Sequence, residues 1–211
     1  MWTRGAMSEA TGLVFLVGFM GSGKTTVGVI LARRLGRTFL DLDREIVRSA
    51  GESVRAIFAA EGEAGFRKRE ARALARAARL GDAVIAVGGG AVSLRANTAL
   101  MRRSGTVVYL QAPWTALRRR VGRRGAAVRP LWGNAEALLA KRRPLYARAA
   151  HFRVRAALGS PTEIAERIAR RLAGRKPRRA VHRRGYGRDG LAGRKPRRAV
   201  HRRGYGRDGL R

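Results

Sequence analysis

The sequence predicts an α/β protein of three layers, in which a parallel β-sheet is covered by helices on both faces. Short apolar runs, typical of buried parallel strands, alternate with longer stretches in which apolar residues recur every three to four positions. A glycine-rich turn joins the first apolar run, 13–17, to the first helical stretch, as in a β-α unit. Because parallel neighbours need crossover connections, this alternation favours one sheet with right-handed helical crossovers.

Each element follows from its own local pattern. Strands are expected at 13–17, 38–42, 83–87, 106–110 and 151–155. Gly36 is a natural C-terminal stop for the first helix, Pro113 suits a first helical turn, and Asn134 is a good N-cap. The helices are then expected at 24–35, 43–49, 53–60, 63–80, 94–103, 113–121, 134–149 and 161–172. The Arg- and Gly-rich stretch 122–133 predicts a loop.

The composition fits one domain with tails. The chain has 211 residues, of which 45% are hydrophobic, so wholesale disorder is excluded. It has no cysteine, which excludes disulfides, thiolate metal sites and cysteine nucleophiles, and its three histidines disfavour a multi-histidine zinc site. No window reaches the length of a membrane span, and residues 1–12 lack a signal-peptide core. We therefore expect a flexible N-terminus at 1–12 and a cytoplasmic protein.

The formal net charge of +33 is partly explained by a repeat. Residues 172–190 recur letter for letter at 191–209, and residues 173–211 hold 15 basic and 2 acidic residues, a net charge of +13. This composition predicts a disordered basic tail. Arginines interleaved with tyrosine could bind nucleic acid. We favour instead a silent tandem duplication, because a binding surface does not require letter-for-letter identity.

The first β-α turn carries a phosphate-binding motif. Residues 18–25 read GFMGSGKT, which satisfies G-x-x-x-x-G-K-[ST] between a predicted strand and a predicted helix. Backbone N–H groups and the helix N-terminus would surround a phosphate, Lys24 would neutralise the β- and γ-phosphates, and the Thr25 hydroxyl would join the shell of Mg²⁺. The motif predicts an ATP or GTP site formed by Gly21, Ser22, Gly23, Lys24, Thr25 and Thr26.

Two carboxylates follow the second strand. Asp41 and Asp43 are separated by one residue, so both side chains are expected on the same face of the strand, at the edge where parallel sheets bind ligands. One could hold Mg²⁺ through water while the other engages an acceptor hydroxyl. The alternative is a pair of ordinary solvated acids.

Two further polar segments stand out. Glu63, Phe66, Arg67 and Glu70 are spaced to lie on adjoining turns of one helix, a pattern that by itself also fits a surface salt bridge. The triple glycine 88–90 after the third strand allows close approach of the backbone to a ligand, or it is simply a flexible turn.

Together these segments make residues 13–172 resemble the shikimate kinases, small kinases with a phosphate-binding loop. The resemblance rests on the loop and, in order, on LDLDREI, EAGFRKRE, AVGGGAV, VRPLW and AKRRPLY. It implies a five-stranded parallel sheet with a mobile lid at about 122–133. The implied reaction moves the γ-phosphoryl group of ATP to the 3-hydroxyl of shikimate, with Mg²⁺ as cofactor.

The resemblance also assigns roles to residues. Asp43, Arg67, Arg142 and the backbone of Gly88, Gly89 and Gly90 would bind shikimate, with both arginines on its carboxylate. Glu70 would hold one of these arginines, and Phe58 and Phe66 would form an apolar wall beside the ring. Arg129 in the lid would close on the transferring phosphate, so that Lys24, Asp43 and Arg129 are the expected catalytic residues. Asp41 would bind the metal through water, and Arg119 or, preferably, Arg120 would meet the adenine.

Some features depart from the resemblance or leave alternatives open. The loop at 122–133 is slightly long, and Trp132 stands where the family commonly has leucine, which bears on the behaviour of the lid. Another small-molecule kinase, acting on gluconate or a nucleotide, is the nearest alternative. A nucleic-acid-associated protein that works through its basic tail is a more distant one. We expect a monomer that binds shikimate and ATP, with no membrane partner.

Overall fold

The structure is a computed structural model that describes residues 12–127 and 131–174. Residues 1–11, most of the expected flexible N-terminus, lie outside this range. So do Arg129 and the basic tail from residue 175 onward. The described residues belong to one contact unit.

Five parallel strands of residues 12–127 and 131–174 form a single sheet, as predicted. The strands are β1 (Leu13–Val17), β2 (Thr38–Asp41), β3 (Ala83–Ala86), β4 (Gly105–Gln111) and β5 (Phe152–Arg155). Their order across the sheet is β2-β3-β1-β4-β5, so β1, which leads into the phosphate-binding motif, lies at the centre. Its neighbours β3 and β4 are in register with it, with Phe15 opposite Ile85 and Val107. The carboxyl ends of the strands therefore meet at one edge.

In the described part of the chain, seven helices cover the sheet. They are α1 (Lys24–Leu35), α2 (Leu42–Ala50), α3 (Val54–Ala77), α4 (Arg95–Ser104), α5 (Trp114–Ala127), α6 (Ala135–Ala149) and α7 (Pro161–Ala173), with a short 3₁₀ turn at Ala91–Ser93. Successive residues of β1 point into two separate cores. Phe15 packs with Leu74 and Tyr146 on one face, and Leu16 packs with Leu31 and Ile168 on the other. This alternation produces the three-layer arrangement.

The bounds differ from prediction where glycine or a cap intervenes. The helices expected at 53–60 and 63–80 form one element, α3, with non-helical angles at Gly62 (φ 67°, ψ −173°). Helix α5 likewise continues past Gly122 (φ 61°) to Ala127, so the loop expected at 122–133 is in part helical. Asn134 stands at the N-cap of α6, but its side chain makes no capping hydrogen bond.

Within the described residues, no helix combines the length and the apolar character needed to cross a membrane.

Trp132 packs against Trp114, with ring centroids 5.4 Å apart.

Candidate active site

The phosphate-binding loop lies between β1 and α1 and borders a cavity of about 510 Å³. The six residues that the motif assigns to the nucleotide all line this cavity: Gly21, Ser22, Gly23, Lys24, Thr25 and Thr26. The Lys24 ammonium group donates to the carbonyl oxygens of Gly18 at 2.8 Å and Phe19 at 3.1 Å. The lysine therefore folds back over its own loop, where a bound phosphate would meet it.

Asp41 joins the loop to the start of α2. Its Oδ2 atom accepts a hydrogen bond from the Thr25 hydroxyl at 2.7 Å. Its Oδ1 atom accepts from the backbone N–H groups of Asp43 at 3.1 Å and Arg44 at 3.4 Å, which caps the helix. Asp43 consequently lies in the first turn of α2, and the expectation that both acids share one face of a strand is wrong. The two still line the same cavity, because the chain turns into a helix immediately after β2.

The Thr25–Asp41 pair suits Mg²⁺. A hydroxyl and a carboxylate oxygen, both hard ligands, lie 2.7 Å apart beside the phosphate-binding loop. In the part of the chain that the structure describes, no group of three or more His, Cys, Asp or Glu residues could hold a metal ion. The hydroxyl and carboxylate oxygens of this pair fit Mg²⁺, which usually keeps several waters and is bound by one or two protein groups together with substrate phosphates.

Arg67 is held between two carboxylates of its own helix. Its Nη1 atom donates to Glu70 Oε2 at 2.7 Å, and its Nη2 atom donates to Glu63 Oε1 at 3.1 Å. Glu70 is fully buried, and its Oε1 atom has no hydrogen-bond partner among the described residues. Burial raises the pKa of the Glu70 carboxyl group, and the neighbouring Arg67 charge only partly opposes this rise.

Arg142 reaches the same place from α6. Its side chain is only 6% exposed, and its Nη2 atom lies 3.6 Å from Glu63 Oε1. The two arginines expected to bind one carboxylate therefore both touch a single carboxylate oxygen. Their convergence depends on the packing of α3 near α6, which no local pattern reveals.

Two of the three glycines leave room for protein side chains. A Cβ atom on Gly88 would lie 2.2 Å from Glu70 Oε1 and 2.8 Å from Asp43 Oδ1. A Cβ atom on Gly90 would lie 2.2 Å from the Arg67 guanidinium carbon. The glycines thus allow Asp43, Glu70 and Arg67 to pack against the turn after β3. Gly89, between them, lines the cavity.

Comparison with known proteins decides the family. The model of the shikimate kinase family matches residues 20–173. The chain belongs to the shikimate kinase family. The shikimate kinase of Symbiobacterium thermophilum is 47% identical over 171 residues, which cover 78% of this chain and 98% of that protein. The shikimate kinase of Nitrosomonas europaea is 45% identical over 167 residues, covering 76% and 78%.

Solved structures agree with this assignment. The shikimate kinase from Acinetobacter baumannii in complex with shikimate aligns with a TM-score of 0.73 at 38% identity, covering 76% of this chain and 92% of that one. The deoxyadenosine kinase from M.mycoides is similar in fold alone. It aligns with a TM-score of 0.50 at 14% identity, covering 76% of this chain and 98% of that one.

One residue of this shikimate kinase family site was missed by sequence reasoning. The Tyr146 hydroxyl donates to the Gly89 carbonyl oxygen at 2.5 Å, and the tyrosine is fully buried. Burial raises the pKa of this phenol well above its usual range, so it remains a donor at neutral pH. The available signal was its spacing: Tyr146 follows Arg142 by four residues and therefore lies on the same helix face.

The other predicted residues lie around the cavity to different extents. Arg120 lines it together with Gly159, Pro161 and Ile164, and donates to the Ala156 carbonyl oxygen at 2.7 Å. Arg119 is exposed and is not among the lining residues. The rings of Phe58 and Phe66 pack together with centroids 4.8 Å apart. The cavity lining does not include Phe58, Phe66, Arg67 or Arg142.

Proposed function

We infer that the chain is a shikimate kinase, which transfers the γ-phosphoryl group of ATP to the 3-hydroxyl of shikimate and forms shikimate 3-phosphate and ADP. Besides family membership, one observation carries this inference. The cavity lined by the phosphate-binding loop is also lined by Asp43 and Gly89. Arg67 packs against Gly90 of the same turn, and Arg142, which is largely buried, lies beside the Glu63 carboxylate that Arg67 also contacts. Such a cavity offers a nucleotide site next to an anion site.

The nucleotide half of the site is proposed as follows. Loop N–H groups and Lys24 bind the phosphates, and Thr25 and Asp41 hold Mg²⁺, with Asp41 acting through water. When bound, the metal neutralises charge on the phosphates. Adenine lies against Arg120 and Pro161, which both line the cavity. Support for this placement comes from the apolar and planar surfaces that these two side chains provide.

The acceptor half is proposed on the other side of Asp43. Arg67 and Arg142 bind the shikimate carboxylate, because a planar guanidinium can form two parallel hydrogen bonds with a carboxylate. Glu70 holds Arg67 in place, since its buried oxygen accepts from Arg67 at 2.7 Å. The backbone of Gly88, Gly89 and Gly90 binds shikimate. Phe58 and Phe66 provide the apolar wall, with Phe66 also beneath Arg67, whose guanidinium carbon is 5.5 Å from the ring centroid.

The chemical step requires a base and a water-free site. Asp43 accepts the proton of the 3-hydroxyl, the oxygen forms a bond to the γ-phosphorus, and the bond between this phosphorus and the β–γ bridging oxygen breaks to leave ADP. Lys24 stabilises the charge on the phosphates. Arg129, which lies outside the described residues, is proposed as the cation that the lid brings to the transferring group, and closure excludes water.

The remaining features of the proposal concern the whole chain. We place the enzyme in the cytoplasm as a monomer, and we assign the basic tail no catalytic role and no nucleic-acid partner. All residues proposed to contact shikimate or ATP precede the tail at 173–211.

The deciding experiment is a coupled assay of ADP release with Mg·ATP. Shikimate should give turnover well above a control without acceptor, whereas gluconate should not. Folded protein that releases no more ADP with shikimate than without acceptor would contradict the assignment. Turnover with gluconate alone would favour the alternative of another small-molecule kinase.

A further inference from the structure

A carboxylate of the protein already occupies the arginine pair. Glu63 Oε1 lies 3.1 Å from Arg67 Nη2, 3.3 Å from Arg67 Nε and 3.6 Å from Arg142 Nη2. The two arginine side chains are 13% and 6% exposed, so this oxygen satisfies cations that are largely removed from water. The position between the two guanidinium groups is the one that the acceptor carboxylate requires.

The charges disfavour having both the Glu63 carboxylate and the acceptor carboxylate at the arginine pair. The cluster contains two guanidinium groups, Arg67 and Arg142, and three carboxylates, Glu63, Glu70 and Asp43, a formal charge of −1. An anionic acceptor would raise this to −2 in a poorly solvated region, where like charges repel strongly. If Glu63 leaves for solvent, the cluster with bound acceptor returns to −1.

Glu63 can leave, whereas Glu70 cannot. The side chain of Glu63 is 52% exposed, so it can turn into water with little loss of solvation, while that of Glu70 is fully buried on Arg67. Glu63 also follows Gly62, where α3 is kinked and where a Cβ atom would meet nothing within 4 Å. The ion pair is solvent-exposed at its Glu63 end, so its loss on binding costs less than the loss of a fully buried pair.

We propose that Glu63 is an internal stand-in for the substrate carboxylate, which occupies the arginine pair of the unliganded enzyme and is displaced by the acceptor. The inference rests on the proposed function, because it takes the shikimate carboxylate as the displacing group. When Glu63 leaves, a neutral analogue cannot replace the negative charge beside the two arginines. Glu63 therefore weakens binding of every acceptor that displaces it, and only an acceptor with a carboxylate recovers the lost ion pairing.

The chain provides a matched control. Glu61 lies on the other side of the Gly62 kink and pairs with Arg69 at the surface, with both carboxylate oxygens 3.0 Å from Arg69 Nε. Glu61→Gln removes the same charge from the same helix without touching the arginine pair. Isothermal calorimetry on the full chain would give the dissociation constants of shikimate and of its neutral methyl ester for wild type, Glu63→Gln, Glu63→Ala and Glu61→Gln.

We expect both Glu63 variants to bind shikimate about two- to five-fold more tightly than wild type, the range for loss of a competing ion pair whose carboxylate is solvent-exposed. Glu61→Gln should leave the constant unchanged. In wild type the methyl ester should bind more weakly than shikimate. Thermal melting of each variant confirms that it is folded.

Equal or weaker binding of shikimate by the folded Glu63 variants would overturn the inference and make Glu63 a residue that holds the arginines in place. This failure is distinguishable from failure of the proposed function. In the latter case wild type itself would neither bind nor phosphorylate shikimate, whereas here it would do both.

Discussion

The phenolic oxygen of Tyr146 lies 2.5 Å from the carbonyl oxygen of Gly89 and so ties helix α6 to the turn that lines the cavity. Tyr146→Phe leaves a carbonyl without its donor, which costs about 1–3 kcal/mol when the group is buried. We expect a lower free energy of unfolding in urea and a higher KM for shikimate. Tyr109→Phe is the control, since the Tyr109 ring stacks on Tyr146 at 5.2 Å without a bond to Gly89. Equal effects of the two variants would show that the hydrogen bond is unimportant.

Gly90→Ala should act on the acceptor side alone. The added Cβ atom would lie 2.2 Å from the Arg67 guanidinium, which must move away from Glu70 and Glu63. KM for shikimate should rise at least several-fold, while KM for ATP stays near the wild-type value, as steady-state kinetics would measure.

Gly89→Ala serves as the folding control for this glycine turn. Its Cβ atom would meet the nearest atom of the described residues, the Tyr146 hydroxyl, at 3.6 Å, an ordinary contact. Its melting temperature should match that of wild type. If Gly90→Ala left KM for shikimate unchanged, the placement of Arg67 at the acceptor would be wrong.

Asp41→Asn separates metal binding from helix capping. Asparagine retains an oxygen that can accept from the N–H groups of Asp43 and Arg44, so α2 should keep its cap and the protein its stability. The lost negative charge should raise the Mg²⁺ concentration needed for half-maximal ADP release. A magnesium titration at fixed ATP checks this, and an unchanged midpoint would remove Asp41 from the metal shell.

Asp43→Asn should lower kcat by about 10²–10⁴-fold, the usual contribution of a general base. The affinity for ATP should change little, because the phosphate-binding loop is untouched. Glu45→Gln is a suitable control: Glu45 lies in the same first turn of α2 but pairs with Arg48 at the surface. Near-normal kcat in Asp43→Asn would mean that Asp43 only positions the acceptor.

Removal of residues 175–211 should leave ADP release nearly intact. Helix α7 ends at Ala173, and Gly174 caps it, so the cut follows the last described element. The shortened chain should also lose any salt-sensitive binding of RNA or DNA that the full chain shows. Loss of turnover in the folded, shortened protein would give the tail a role in catalysis.

Local patterns accounted for the elements and for the phosphate-binding loop. The five strands and most helices could be predicted because burial of a strand or a helix face imposes a period on the residues. The loop could be predicted because contiguous residues bind one phosphate. The predicted break between the helices at 53–60 and 63–80 is present as the kink at Gly62. The prediction was wrong after Gly122, where a helical segment to Ala127 replaces part of the expected loop.

The acceptor site was only partly predictable. Asp41 and Asp43 were expected to share one face of the second strand, yet Asp41 caps helix α2 and Asp43 lies in its first turn. Gly88 and Gly90 were expected to admit a ligand, yet they also admit Glu70 and Arg67. Tyr146 gave no chemical signal of its own, because a buried phenol is usually a core residue until its partner is known.

The sequence by itself determined the fold class and the nucleotide loop, since each depends on periodicity or on a motif of neighbouring residues, and it indicated the acceptor only through resemblance to a family. The tertiary structure alone decided that Arg67 of α3 and Arg142 of α6 converge on Glu63. It also decided that Tyr146 reaches Gly89. Contacts between residues far apart in the chain depend on how helices pack on the sheet, and that packing is a property of the whole core.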